Sequence, residues 1–443
     1  MIGILSNASY RTLFSAQVIA LLGTGLLTVA LGLLAFDLAG DKAGAVLGTA
    51  LAIKMIAYVG LAPVANAAIE HLPRKAVLIG ADLVRAAIAL FLPFIDAVWQ
   101  IYGLIFVLQA ASATFTPAFQ AVIPDILPHE KDYTRALSLS RLAYDLENLV
   151  SPALAGLLLA VMSYHWLFGG TVIGFLGSAA LVAITAVPPQ APSAKVRPFA
   201  ERLTRGVRIY LATPRLRGLL ALNAAAAAAG AFVIVNTVVV VRSGFGAGDT
   251  QVAHALAAFG GGSMLAALAL PRLLDRLPDR AVMVAAAFLL AGLTLGHALY
   301  MLADGLLAWS GFLFAWFASG TLYSAILTPS GRLLRRSAHA EDRPAVFAAQ
   351  FALSHACWLV TYPLAGWVGE AFGLGVAMAI LGALALAASA LALAVWPAGD
   401  PSELVHDHSD LPADHPHLVG ATGKRHSHAF VIDDEHRVWP THG

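Results

Sequence analysis

Cysteine is nearly absent: the 443 residues include one, Cys357. A lone thiol excludes an internal disulfide framework and any multi-cysteine zinc or iron–sulfur centre. Charge is scarce as well. Asp, Glu, Lys and Arg make up 12% of the chain, where a soluble domain carries about 25%. So little charge cannot cover a soluble surface of this size, which removes soluble enzymes, nucleic-acid modules and disordered scaffolds. An excess of either sign is also missing. The 27 basic and 26 acidic residues leave +1, and with it no general attraction to nucleic acid. Apolar residues fill the space: 59% are hydrophobic and the mean hydropathy is +0.77. This is the composition of an integral membrane protein.

Apolar stretches of about 20 residues are long enough to cross a bilayer as helices. Twelve are legible, at 12–36, 46–69, 77–95, 98–122, 138–161, 165–187, 216–241, 251–274, 281–301, 305–331, 345–369 and 373–396. The predicted fold is therefore an all-α membrane protein with twelve transmembrane helices. The first stretch has no small-residue cleavage site and reads as a retained helix. With the N-terminus inside, 22 lysines and arginines fall on the cytoplasmic side. Two, Lys42 and Arg242, fall outside, and Lys54, Arg85 and Arg141 lie within spans. That asymmetry places both termini in the cytoplasm of an inner (plasma) membrane, expected to be bacterial.

The connection 188–215 carries Lys195, Arg197, Arg202, Arg205, Arg208 and Arg215. From Phe199 to Leu211 its apolar residues recur at helical spacing with arginines opposite, predicting a basic amphipathic helix on the anionic inner leaflet. It separates a six-helix N-terminal half, 1–187, from a six-helix C-terminal half, 216–396. The tail, 397–443, is expected to be largely disordered.

The halves echo one another. Glu70-His71-Leu72-Pro73-Arg74-Lys75-Ala76-Val77 follows the second span, and Asp275-Arg276-Leu277-Pro278-Asp279-Arg280-Ala281-Val282 follows the eighth, 205 residues later. Thr116-Pro117 returns as Thr328-Pro329. Pro152-Ala153-Leu154-Ala155-Gly156 returns as Pro363-Leu364-Ala365-Gly366. Ordered echoes at nearly constant offset predict two pseudo-symmetric halves about an axis along the membrane normal, a transporter arrangement.

On these residues the chain resembles the major facilitator superfamily over 11–396. That family carries Gly-x-x-x-Asp-Arg-x-Gly-Arg-Arg after its second span. The resemblance implies a cytoplasmic gate built on Glu70, Arg74 and Lys75 in one copy and Asp275, Arg276 and Arg280 in the other. Asn66 and Pro73 replace the motif's glycines, His71 its first arginine, and Pro271 the leading glycine of the second copy. Ser151-Pro152-Ala153-Leu154-Ala155-Gly156 resembles the Gly-Pro-x-x-Gly-Gly element of the family's antiporting exporters, with Ser151 and Ala155 in glycine positions. Read physically, Pro152 can kink its helix while Ser151 and Gly156 allow close packing.

Ionisable groups inside a span are costly and are functional candidates by default. The fifth span has the richest set. Arg141, Asp145 and Asn148 form one helical stripe; Ser140, Tyr144, Glu147 and Ser151 form another. At 1.5 Å per residue Asp145 and Glu147 lie about 10–14 Å deep, where a cation such as Arg141 is needed to offset a carboxylate's charge. Arg141 and Asp145 can form an i,i+4 pair. That leaves Glu147 as the expected coupling acid. On the eleventh span Gln350, Ser354, Cys357 and Thr361 form a stripe with His355 beside it; Gln350 and His355 are expected to line the substrate cavity. Asp82 and Arg85 are expected to be structural, and Lys54 has no partner nearby in sequence.

Eight of the fifteen histidines lie in the tail, six of them in the pairs His406/His408, His415/His417 and His426/His428. Alternate residues of an extended chain point the same way, so each pair can offer two imidazoles to one metal. Imidazole with nearby aspartate suits nickel, copper(II) or zinc. The run Asp132 to Glu147 and the segment Asp410-Leu411-Pro412-Ala413-Asp414-His415-Pro416-His417, with Val431-Ile432-Asp433-Asp434, resemble the nickel-resistance exporters of the superfamily. This resemblance implies proton-coupled export of a divalent metal, nickel first, with Ni2+ or Zn2+ held transiently on the tail and no resident cofactor. An exporter of organic compounds is the alternative, favoured by Phe351, Trp358 and Tyr362 on one side of the eleventh span. A metal sensor on a transporter scaffold is a third reading. No nucleophile–base pair, phosphate loop or catalytic metal spacing points to an enzyme. The expected partners are the bilayer and a small cation or small molecule, with the chain acting as a monomer.

Overall fold

A helix in lipid must satisfy its own backbone, so the apolar stretches fold as helices and pack by shape. The computed structural model describes residues 2–61, 72–127, 129–186, 199–339, 342–400, 403–407, 425–433 and 435–440. The N-terminal spans are Ala8–Ala39, Ala43–Ile56, Arg74–Phe91, Val98–Ile126, Glu130–Leu159 and His165–Ile184. The C-terminal spans are Pro214–Val239, Asp249–Leu274, Asp279–Asp304, Trp309–Leu327, Arg343–Pro363 and Leu374–Val395. Each apolar stretch expected from hydropathy overlaps one of these helices, residues 62–69 of the second and 187 of the sixth lying outside the described residues. Three are extended by a π turn: the second at Ala57–Leu61, the seventh at Val240–Gly244 and the eleventh at Leu364–Val368.

The two halves are packed alike. The first span lies against the sixth, and the third against the fourth and sixth; the seventh lies against the twelfth, and the ninth against the tenth and twelfth. Between halves, the second span meets the seventh and eleventh, and the fifth meets the eighth. Small residues set these crossings. A side chain on Gly48 would run into the Tyr362 carbonyl, one on Gly366 into the backbone of Gly44 and Ala45, and one on Gly156 into Ala253. Gly156 and Gly366 are the last residues of the echoed Pro-to-Gly segments, so both copies of the repeat supply an inter-half contact. These contacts lie toward the ends of the spans away from the two termini.

Two segments outside the spans pack on the C-terminal half. The amphipathic helix Phe199–Ala212 lies against the eleventh span as well as being basic. Arg205 Nε and Nη2 donate to Asp342 Oδ1 and Oδ2 at 2.5 and 2.9 Å, and Ile209 and Tyr210 are buried. Ile209 and Tyr210 of its apolar stripe are covered by protein, while Leu211 is exposed. The tail forms an antiparallel pair of strands, β1 (Glu403–Asp407) and β2 (Arg425–Ala429), with His406 opposite His426. After β2, Phe430 and Ile432 join the main core, and Phe430 packs on Trp439 with ring centroids 5.0 Å apart. Burying two such side chains contributes about 1.5–3 kcal/mol each, enough to dock a polar segment.

Candidate functional site

The cleft between the halves is bordered by the second and fifth spans on one side and by the eleventh on the other. Gly25 of the first span lets Ser151 approach, which brings the turn carrying Glu147 toward the centre. Glu147 shares its electrostatic field with Lys54 and Tyr58 of the second span, Tyr144 of its own helix and Tyr362 of the eleventh. Lys54, without a partner by sequence proximity, lies within electrostatic reach of Glu147, 93 residues away on another helix. Its ammonium lies 5.6 Å from the centre of the Tyr58 ring, a distance at which the ring face attracts a cation.

Aromatic rings line the rest. Tyr58 contacts Phe351 and His355 at centroid distances of 5.7 and 5.3 Å. Trp358 contacts Tyr362 at 4.9 Å and Tyr323 at 6.3 Å, and Tyr323 contacts Phe259 at 5.6 Å. His355 Nδ1 lies 2.6 Å from the Phe351 carbonyl, leaving Nε2 as its other polar atom.

The expected site residues separate into groups. Glu147 and His355 are both half-buried, and both lie near Tyr58 of the second span. Gln350 is engaged elsewhere: its side-chain carbonyl accepts a hydrogen bond from the Tyr210 hydroxyl of the linker helix. The eleventh span's polar stripe thus begins at the linker before reaching the cleft. Arg141, Asp145, Asn148 and Pro152 are helical, but their side chains lie outside the described residues. The fifth span runs as one helix through Pro152 to Leu159. Asp82 and Arg85 pair with each other, and Arg85 is held between the Phe115 and Phe175 rings at 4.3 and 4.5 Å. That is a structural arrangement.

The gate loops fasten each half internally. Lys75 Nζ donates to the Thr185 carbonyl at 3.0 Å, at the end of the sixth span. Arg280 Nε donates to the Trp396 carbonyl at 2.9 Å, at the end of the twelfth. Each cation caps the C-terminus of a neighbouring helix, where unsatisfied carbonyls and the helix dipole favour positive charge. Asp279 pairs with Arg332 at 3.5 Å. Asp275 and Arg276 are exposed, and Glu70 lies outside the described residues.

The face away from the termini carries a clamp that the sequence did not disclose as a site. Asp37 accepts a hydrogen bond from the Tyr164 hydroxyl at 2.5 Å and lies 4.0 Å from Arg242, which also binds Asp249 at 2.6 Å. Burial, and then the Asp37 hydrogen bond, push the Tyr164 hydroxyl well above its ordinary value. Asp41 accepts from Ser243, Lys42 stands 3.3 Å from Glu370, and Trp367 Nε1 donates to Thr49 at 3.0 Å. Asp37, Asp41, Lys42 and Thr49 belong to one half; Arg242, Ser243, Trp367 and Glu370 belong to the other.

In the tail, His406, His426 and His428 offer ring nitrogens that all lie within 4.8 Å of one another. His408, His415 and His417 lie outside the described residues. His436, which belongs to no His-x-His pair, joins the described histidines: its Nε2 is 3.0 Å from Nε2 of His406.

The sequence pattern of the Major Facilitator Superfamily matches residues 13–303 and 219–426. The chain belongs to this superfamily. Among its superfamily relatives is the uncharacterized MFS-type transporter YfiS of Bacillus subtilis, 26% identical over 387 residues, covering 84% of this chain and 89% of that protein. Macrolide efflux protein A of Streptococcus pyogenes is 27% identical over 184 residues, 40% of this chain and 45% of that protein. Two solved structures share the fold. The nucleoside transporter NupG superposes with a TM-score of 0.65 at 13% identity, covering 88% of this chain and 100% of that one. A bacterial homolog of the human lysosomal transporter Spinster, inward-facing and unoccupied, superposes with a TM-score of 0.63 at 14% identity, covering 88% and 96%. The chain is thus a multi-pass membrane transporter of the superfamily.

Proposed function

We propose that this transporter is a proton-coupled exporter of small organic molecules, with Glu147 as the coupling acid and Lys54 as its counter-cation. The observation that carries the reading is Glu147 sharing the inter-half cleft with Lys54, Tyr58 and Tyr362. A carboxylate and an ammonium in a poorly solvated cleft offset each other's desolvation. Protonating the acid removes that balance and leaves Lys54 alone. A proton arriving from one side and leaving on the other can therefore bias which arrangement of the halves is favoured, as alternating access requires. The aromatic lining suits flat or apolar cargo, held by ring contacts and steered by the two charges. Efflux by a macrolide-exporting relative supports the outward direction, and the lysine and arginine asymmetry supports placing both termini in the cytoplasm.

Nickel as cargo has less support from the cleft. Its described side chains bring one imidazole, His355, and one carboxylate, Glu147, amid aromatic rings, fewer ligands than a divalent ion takes. The test is efflux from proteoliposomes under an imposed pH gradient, with a macrolide, an aromatic dye and nickel followed in parallel. Organic efflux that collapses with the gradient, and that Glu147→Gln uncouples, supports the proposal. Nickel efflux with no organic efflux would replace it with the metal reading. Organic efflux indifferent to Glu147→Gln would remove Glu147 from the coupling.

A further inference from the structure

The tail's imidazoles sit in a built site. β1 and β2 put His406 and His426 in register as a cross-strand pair, with His428 two residues on along β2 and so on the same face. Ring centroids are 4.7 Å apart for His406 and His426, 4.6 Å for His406 and His428, and 5.1 Å for His426 and His428. The chain then passes Phe430 and Ile432 through the core and returns His436 to the same spot, 4.8 Å from His406 and 5.1 Å from His428.

Two of these rings are oriented by oxygen acceptors. His406 Nδ1 lies 2.9 Å from the Leu404 carbonyl, and His436 Nδ1 lies 2.9 Å from Asp433 Oδ1. A carbonyl or carboxylate accepts from the nitrogen facing it, which makes each Nδ1 an N–H and turns each Nε2 toward the cluster. The two Nε2 atoms face each other at 3.0 Å. At that distance either one ring donates a proton to the other, or both direct their lone pairs at a cation between or beside them. Nitrogens bound to one tetrahedral zinc at about 2.0–2.1 Å stand about 3.4 Å apart, close to the observed spacing. An Asp that holds the far nitrogen of a ligating His is the usual outer support of such sites. Asp433 is itself fixed: it accepts from the backbone N–H of Glu435 and His436 at 2.9 and 2.7 Å.

The same segment is attached to the C-terminal half. Asp433 lies 3.3 Å from His339, Asp400 lies 3.3 Å from Arg215 and 3.4 Å from Arg336, and Trp439 covers Arg215 at 5.1 Å. Phe430 and Ile432 are almost wholly buried between these contacts.

We infer that His406, His426, His428 and His436 bind one divalent transition-metal ion of the zinc–nickel type, which closes the tail into a loop and fastens it on the termini face of the C-terminal half. The ion is a resident or regulatory ligand, outside the cleft, and the inference holds whatever the cargo is. The absence of thiolate excludes a soft copper(I) site, and imidazole nitrogens suit zinc and nickel.

The test uses the full-length protein in detergent, stripped with chelator and titrated separately with Zn2+ and Ni2+ by calorimetry. Hydrogen exchange is followed at 403–407 and 425–433. One ion per chain is expected, with exchange in both segments slowed by metal. His406→Ala with His426→Ala is expected to weaken binding at least a hundredfold. Asp433→Asn, which spares every ligand, is expected to weaken it about tenfold, as loss of an outer-shell carboxylate does. A triple change of His408, His415 and His417 to Ala is expected to leave both readouts as in the parent. Absence of binding would overturn the inference, as would loss in the triple variant with retention in the His406/His426 pair. Binding without slower exchange would overturn the fastening. Unchanged melting of the helical core in each variant separates loss of a ligand from loss of the fold.

Discussion

Lys42 of the N-terminal half stands 3.3 Å from Glu370 of the C-terminal half, across the face away from the termini. Arg242, the other cation on that face, reaches the opposite way to Asp37. The two cations that depart from the charge asymmetry of the chain are therefore the two that tie the halves together there. With the close backbone crossings at Gly48 and Gly366, these contacts hold one end of the cleft shut. Opening that end requires breaking them, so they set part of the balance between the two arrangements of the halves.

The two pairs are unequal. The Lys42 side chain is 73% exposed, whereas that of Arg242 is 28% exposed and holds two acids. Exposed pairs contribute about 0–1 kcal/mol, with well-placed networks at the upper end. Arg242→Ala is expected to speed hydrogen exchange of 36–43 and 240–249 by about fivefold, equivalent to about 1 kcal/mol. Lys42→Ala is expected to change it by less than about twofold. Equal effects would mean that the clamp is not organised around Arg242.

Lys54 and Glu147 are expected to couple in stability as well as in transport. Removing one charge leaves the other without its partner, while removing both does not. In detergent melting, Glu147→Gln with Lys54→Met is expected to be more stable than the sum of the single changes predicts, by about 1 kcal/mol. Strict additivity would show that the two charges act on the fold independently.

The spans, the halves and the repeat were legible because hydropathy and motif echoes are local in sequence. The cleft was only half legible. Glu147 stood out as a buried acid, but Lys54 looked partnerless because its partner is contributed by another helix. Gln350 looked like a cavity residue because its helical stripe continues to Thr361, and only the packing of Tyr210 shows that the stripe starts at the linker. In the tail, Phe430 and Ile432 belong to the short apolar run Ala429-Phe430-Val431-Ile432, whose burial depends on a core formed by distant chain. His436 escaped notice for a similar reason: spacing selects pairs, whereas the turn after β2 selects His436.

Gly48 offers a steric test of the closed end. A valine there would meet the Tyr362 carbonyl, and the eleventh span has no slack because Gly366 already touches the Gly44 and Ala45 backbone. Gly48→Val is expected to fold, since each half keeps its own packing, but to hold the halves apart at that end. Faster exchange at 43–50 and 362–368, with loss of efflux, is the expected outcome. Exchange as slow as in the parent would show that the crossing can be repacked.

The pseudo-symmetry makes a final demand. Lys75 caps the sixth span and Arg280 the twelfth, from equivalent loops and on equivalent carbonyls. If both act as helix caps inside their own halves, Lys75→Ala and Arg280→Ala should each cost about 0.3–1 kcal/mol, the range for a cation at a helix C-terminus. Each should loosen only its own half: exchange should rise at 181–186 for Lys75→Ala and at 392–396 for Arg280→Ala. The clamp at the opposite face should be untouched, so exchange at 240–249 should stay as in the parent. Were either loop instead to lock one half to the other, its alanine variant would alter exchange in both halves and shift the clamp segments as well.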